Sequence, residues 1–212
     1  MLDVSWAVRW VRLTAEAVGL AKAELTELDR RIGDGDHGEN LDRGYRAVVE
    51  RLDALDPEPE NVGDVLKLVA TTLMSKVGGA SGPLYGTAYL RAAKATAVPS
   101  LDASAVVALV EGALDGVTAR GKAVPGEKTM VDAWQAAADA AAAAAHEGAS
   151  AEEVLRRAST AATAGAASTT SMVATKGRAS YLGDRSAGSA DPGATSTALI
   201  LDAAVRAVGE GR

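Results

Sequence analysis

"LDRRIGDGDHGENLDRG", residues 28 to 44, is open to two architectures. Its glycines fit G-x-G-x-x-G, which in a dinucleotide-binding fold follows a parallel strand and lets backbone amides approach a pyrophosphate at a helix start. That reading needs a strand before Gly33. The preceding residues instead repeat apolar side chains at helical spacing, with Val4, Ala7, Val8, Val11, Ala15 and Val18 along one face. The segment therefore reads as a loop between two helices. Asp34, Asp36 and Gly38 also mimic the first, third and fifth positions of an EF-hand calcium loop. That motif then needs a glycine where Glu39 stands and a bidentate acid where Tyr45 stands, so it fails as well.

Working outward, the helical rhythm recurs about eight times, judged against ordinary helix lengths. "NLDRGYRAVVERLDAL" gives a second helix, ended by "DPEPEN". A third follows Asn61 as N-cap and stops at Gly78-Gly79, and Pro83 sits near the start of a fourth. Asp102 or Ser104 caps a fifth, which closes at Gly121. The alanine-rich run after Thr129 makes a sixth by intrinsic propensity, with small side chains that imply close packing. Ser150 and Glu153 stand in the S-x-x-E relation of a capping box and open a seventh. Asp191 as N-cap and Pro192 in the first turn, with the Gly193 and Ala194 amides free, open the last. No stretch alternates with period two, so no sheet is expected. The predicted fold is all-α, an eight-helix antiparallel up-and-down barrel or bundle.

With 212 residues the chain can bury one substantial core, and one domain spanning 1–212 is expected. Lys+Arg number 22 against Asp+Glu 28, a formal charge of -6, which argues against a nucleic-acid partner. The chain has no cysteine, which removes disulfides and thiolate metal sites. Asp3, Arg9 and Arg12 interrupt the apolar pattern of the N-terminus, so neither a signal segment nor a membrane span is expected there, and the predicted location is cytoplasmic.

In an antiparallel bundle alternate loops share an end. Those after the first, third, fifth and seventh helices are "DRRIGDGDHG", "GGASGP", "GKAVPGEKTM" and "TKGRASYLGDRSAGSADPG". They are expected to converge on one rim as a ligand site. Asp29, Asp34 and Asp36 carry hard oxygen donors suited to magnesium or manganese, which would make an acidic pocket attractive to polyphosphate. From the spacing alone, capping of helix ends and pairing with Arg30, Arg31 and Arg43 competes equally with metal binding. His37 has only His146 as a fellow histidine, remote in sequence, which argues against a two-histidine zinc site. Ser81 and the start at Asp191, Pro192 and Gly193 offer donors at helix N-termini. Lys176 and Arg178 are candidates to neutralise phosphoryl charge, with a solvated-surface role competing for both. Such a site needs no protein nucleophile for phosphoryl transfer.

Together "GDGDHGENLDRG", "GGASGPLYG", "RGKAVPGEKTMVDAW" and "KGRASYLGDRSAGSADPGATS" resemble, in order from about Leu28 to Ser196, the nucleotide-binding L subunits of bacterial phosphotransferase-dependent dihydroxyacetone kinases. The resemblance implies an eight-helix barrel holding ADP or ATP through two magnesium ions. Asp29, Asp34 and Asp36 would be the metal ligands. His37, Gly38, Glu39, Asn40, Ala80 and Ser81 would lie along the nucleotide, Gly121, Thr129 and Met130 around the adenosine. Arg178, as the catalytic cation, with Asp191, Pro192 and Gly193, would complete the pocket, under a cover containing Tyr181 and Leu182. It further implies a K subunit holding dihydroxyacetone, to which the γ-phosphoryl group passes, and an M subunit, a phosphocarrier that regenerates the nucleotide. It leaves room for a homodimer. Two other readings stand beside it: an ATP-dependent kinase component for another small ketose or polyol, and a non-catalytic nucleotide-binding regulator.

Overall fold

The apolar stripes read from the sequence close into a ring. In the structure, a computed structural model that describes residues 1–209, the helices are α1 (Val4–Ile32), α2 (His37–Asp53), α3 (Val62–Lys76), α4 (Ser81–Ala95), α5 (Ala103–Gly121), α6 (Met130–His146), α7 (Ala151–Ser168) and α8 (Pro192–Gly209). Each packs on its neighbour in sequence, and α8 returns to pack on α1, which makes the predicted barrel. No helix among the described residues is long and apolar enough to cross a membrane.

Aromatic residues with polar tips close the ring. Trp6 and Trp10, one turn apart on α1 and both buried, stack with centroids 5.2 Å apart. Their indole N–H groups donate to the carbonyls of Ala204 (2.9 Å) and Ile200 (2.8 Å), so each buries a large apolar face while pinning α1 to α8. Elsewhere the walls approach through missing side chains. A Cβ on Gly116 of α5 would stand 2.8 Å from Ala88 of α4, and one on Gly165 of α7 would stand 2.7 Å from the Asp132 carbonyl of α6.

Several local expectations are corrected. Leu2–Asp3 (β1) and Ser100–Leu101 (β2) form a two-residue antiparallel pair, too short to show any period in sequence. Helix α3 ends at Lys76, before the two glycines, whereas α5 closes at Gly121 as expected, followed by Lys122 at φ 55. Ser150 accepts from the Glu153 amide, but Glu153 turns to Arg156 and Arg157, so the box is half made. The complete box is Thr129–Asp132, where Asp132 accepts the Thr129 amide at 2.8 Å and Thr129 Oγ1 accepts from Val131 at 3.2 Å. Asp102, of the two caps offered for α5, is the one that accepts, from the Ala105 amide.

Candidate functional site

The last turn of α1 and the first of α2 build an acidic corner. Asp29 Oδ2 accepts the amides of Asp36 (2.8 Å) and His37 (3.1 Å), satisfying the start of α2 from outside that helix. Gly33 makes room for this carboxylate, since a Cβ there would collide with Asp29 Oδ1. Gly35 takes φ +73, and the chain then doubles back. Asp29, Asp34 and Asp36 thus bring carboxylate oxygens within 4.8 Å of one another. Opposed oxygen ligands of a magnesium ion stand about 4 Å apart, so the set fits a hard divalent cation after small side-chain rotations. Arg178 pairs with Asp34 across the corner.

All four predicted loops meet here. A cavity of about 190 Å³ is lined by Asp29, Asp34, Asp36 and His37, by Ala80 and Ser81, by Lys128, Thr129 and Met130, and by Lys176, Arg178, Asp191, Pro192 and Gly193. A second chamber of about 520 Å³ continues from it past Ala80, Leu84 and Met130 to Val117, Gly121 and Val131, and is more apolar. The first residues of α2, α4, α6 and α8 all border the smaller cavity, whereas the last residues of α3, α5 and α7 do not. Each helix N-terminus presents about half a positive charge, so the cavity combines an acidic corner with a wall favourable to anions.

Behind the wall, His37 is buried between two hydroxyls, with Nδ1 2.9 Å from Ser81 Oγ and Nε2 2.9 Å from Ser196 Oγ. Burial holds its pKa below the usual histidine value, against the pull of Asp29 and Asp36. Ser196 continues to the Tyr85 hydroxyl at 2.6 Å, which donates to the Gly193 carbonyl. The first turns of α2, α4 and α8 are thereby joined. Asp191 caps α8 through the Ala194 amide at 2.7 Å. Although the residue is only half-buried, protein surrounds its carboxylate and pushes its pKa up to about 7. The cap and the Asp132 and Asp29 charges also act on it, the cap lowering and the charges raising.

Most of the expected residues converge, but Gly38, Glu39 and Asn40 do not line the cavity. Helical twist carries them away from His37. Gly38 lies against the Lys22 carbonyl, Glu39 pairs with Lys22 at 3.5 Å, and Asn40 accepts from Arg43 at 2.5 Å. Gly121 borders only the second chamber. Arg30 and Arg31 pair with Glu27, one turn back, rather than with the aspartates. The Ala194 amide is not free, since Asp191 takes it. Tyr181 is 88% exposed, while Leu182 rests on Ile32, Ala174 and Ala179. Lys128 and Ser196 escaped sequence reasoning. Lys128 reaches carbonyls 41 and 61 residues away and Ser196 meets His37 across 159 residues, and no local pattern marks these contacts.

The family model described as the DAK2 domain matches residues 31–206. The chain belongs to the DAK2 domain family. The DAK2 match begins within the acidic loop and takes in the other three loops of the cavity. Among curated proteins, the chain is 42% identical to the "PEP-dependent dihydroxyacetone kinase 1, ADP-binding subunit DhaL" of Listeria innocua over 95% of each chain. It is 43% identical to the Escherichia coli "PEP-dependent dihydroxyacetone kinase, ADP-binding subunit DhaL" over 92% of each. Among solved structures, it resembles the dihydroxyacetone kinase of C. freundii in complex with AMP-PNP and Mg2+, with a TM-score of 0.69 and 25% identity. That match takes in 97% of this DAK2 chain and 34% of the C. freundii chain.

Proposed function

We propose that this chain is the nucleotide-carrying subunit of a dihydroxyacetone kinase, presenting ADP or ATP so that a γ-phosphoryl group passes to dihydroxyacetone held by a separate K subunit. The observation that carries the reading is the convergence of Asp29, Asp34 and Asp36 on a cavity whose other wall is helix N-termini, Lys176 and Arg178. The printed descriptions of the relatives support it, as ADP-binding subunits of PEP-dependent kinases and an enzyme complexed with AMP-PNP and Mg2+. "PEP-dependent" favours regeneration of the nucleotide by an M-type phosphocarrier over exchange with free ATP.

Asp29, Asp34 and Asp36 would hold two magnesium ions, which when bound offset the polyphosphate charge. Ser81, the amides opening α4 and α8, Lys176 and Arg178 orient the phosphates and balance charge as it shifts in the transition state. The apolar chamber past Met130 and Gly121 takes the base. No side chain here is asked to act as nucleophile, so positioning and electrostatics are the chain's whole contribution.

Native mass spectrometry of the purified chain tests the reading. Retained ADP that is lost on chelation supports it. A chain that binds neither ADP nor ATP with magnesium present refutes it.

A further inference from the structure

Lys128 is 1% exposed, yet no carboxylate is among its hydrogen-bond partners. Its Nζ donates to the carbonyls of Thr169 and Ser189, each at 2.5 Å. Those two residues flank the segment 170–188, which includes the 3-10 helix Arg178–Ser186 and carries Lys176 and Arg178 to the cavity. The same roots are closed by Gly188 donating to the Thr170 carbonyl at 2.7 Å and by the Asp191 amide donating to Thr169 Oγ1 at 2.9 Å.

Between its roots the segment is also tied by the Thr175 amide donating to the Glu127 carbonyl at 3.4 Å and by the Arg178–Asp34 pair. Its apolar footing is Ala174 and Ala179 against Ile32, with Leu182 beside them. Ser186 Oγ, accepting from the Ala174 amide at 2.8 Å, ties the segment only to itself. The Thr169 carbonyl also accepts the Met172 amide at 3.2 Å, whereas the buried Ser189 carbonyl relies on Lys128, so leaving it without that donor would be costly. A lysine offers three donors and no acceptor on a long stem, which lets one side chain serve two carbonyls from a neighbouring loop. Lys128 takes a left-handed backbone at φ 61, uncommon for a residue with a side chain, directly before the Thr129–Asp132 box that fixes the start of α6. The lysine is therefore anchored on the rigid wall.

We infer that Lys128 is a positioning residue, whose side chain staples both roots of segment 170–188 and so sets where Lys176 and Arg178 stand over the phosphate cavity. The consequence for ligand binding rests on the nucleotide reading above, whereas the tethering does not.

The test uses the full chain with Lys128→Met and Lys128→Arg, following amide hydrogen exchange without ligand, thermal melting and Mg-ADP affinity. In Lys128→Met, exchange in peptides from 170–188 should rise roughly ten- to a hundredfold, the range expected from loss of buried hydrogen bonds, while α3 and α5 keep their protection. Mg-ADP affinity should fall at least about tenfold with little change in Tm, and Lys128→Arg should recover part of both. Unchanged exchange in 170–188 overturns the inference, as does an increase spread evenly over the barrel. Should Lys128→Met fail to fold, Lys128→Arg carries the test, because its altered reach should still raise exchange selectively in 170–188, and no selective rise overturns the inference. A wild-type chain that ignores Mg-ADP refutes the nucleotide reading and leaves the exchange result intact.

Discussion

The two rims of the barrel start their helices differently. At the far rim, where α1, α3, α5 and α7 begin, each start is closed by a side chain beside it. Asp3 accepts from Trp6, Asn61 from Asp64, Asp102 from Ala105 and Ser150 from Glu153. At the cavity rim, Thr129 with Asp132 closes α6 and Asp191 closes α8 in the same way, but Asp36 and Ala80 give α2 and α4 no side-chain cap. The start of α2 is served instead by Asp29 across a loop. The far rim closes every helix start with a local side chain, whereas the cavity rim does so only for α6 and α8 and leaves the starts of α2 and α4 without one. Stability and binding should therefore be separable by position, and the contrast can be broken or refined in four ways.

The largest effect is expected at Asp36, whose side chain makes no cap bond. Asp36→Ala, alone or with Asp34→Ala, should weaken Mg-ADP binding by about a hundredfold or more on loss of metal ligands, with Tm nearly unchanged. Isothermal titration beside a melting curve checks this, and a large drop in Tm would mean that the corner is structural. Asp29→Ala should lose both, because Asp29 also serves two backbone amides.

Next comes the wall. Gly116→Val forces a side chain into Ala88 and should cost about 1–3 kcal/mol by overpacking, or roughly 2–12 °C in Tm for a chain of this length. Affinity at low temperature should hold. A smaller loss, about 1 kcal/mol or 2–4 °C, is expected from Asp102→Ala at the far rim, with ligand binding untouched. A binding defect there would contradict the division between rims.

The smallest effect is a slope. Asp191 has a folded-state pKa of about 7 against an unfolded 3.8, so the folded chain holds the extra proton between those values. Its contribution to stability is full below about pH 4 and is lost as pH rises through 7. Urea melts of the metal-free, ligand-free chain at pH 5 and pH 7.5 should show wild type losing more stability than Asp191→Asn. Equal losses would mean that the carboxylate is solvated.

What the sequence disclosed follows the range of the interactions involved. Helical periodicity and caps act within four residues, so the eight helices, the far-rim caps at Asn61, Asp102 and Ser150 and the shared end of four loops could be read directly. The competition between capping and metal binding for the aspartates could not be resolved by spacing. Asp29 caps α2 and also joins the acidic cluster, so the two readings were never exclusive. Glu39 and Asn40 do not line the cavity beside His37, because a helix turns successive side chains about 100° apart. Arg30 and Arg31 were misplaced because Glu27, at helical spacing, outcompetes acids beyond the helix end. Lys128, Ser196 and the β1–β2 pair depend on partners far along the chain, which no window contains.

The ion pair between Arg178 and Asp34 carries one more implication. A mouth that brings together three carboxylates would repel itself while waiting for cargo. Here the guanidinium neutralises part of that charge, and a cation bound by Asp34 would compete with it. If the nucleotide reading proposed above holds, an arginine displaced from Asp34 would be free to face the phosphate, so arrival of the first guest would prepare the welcome of the second.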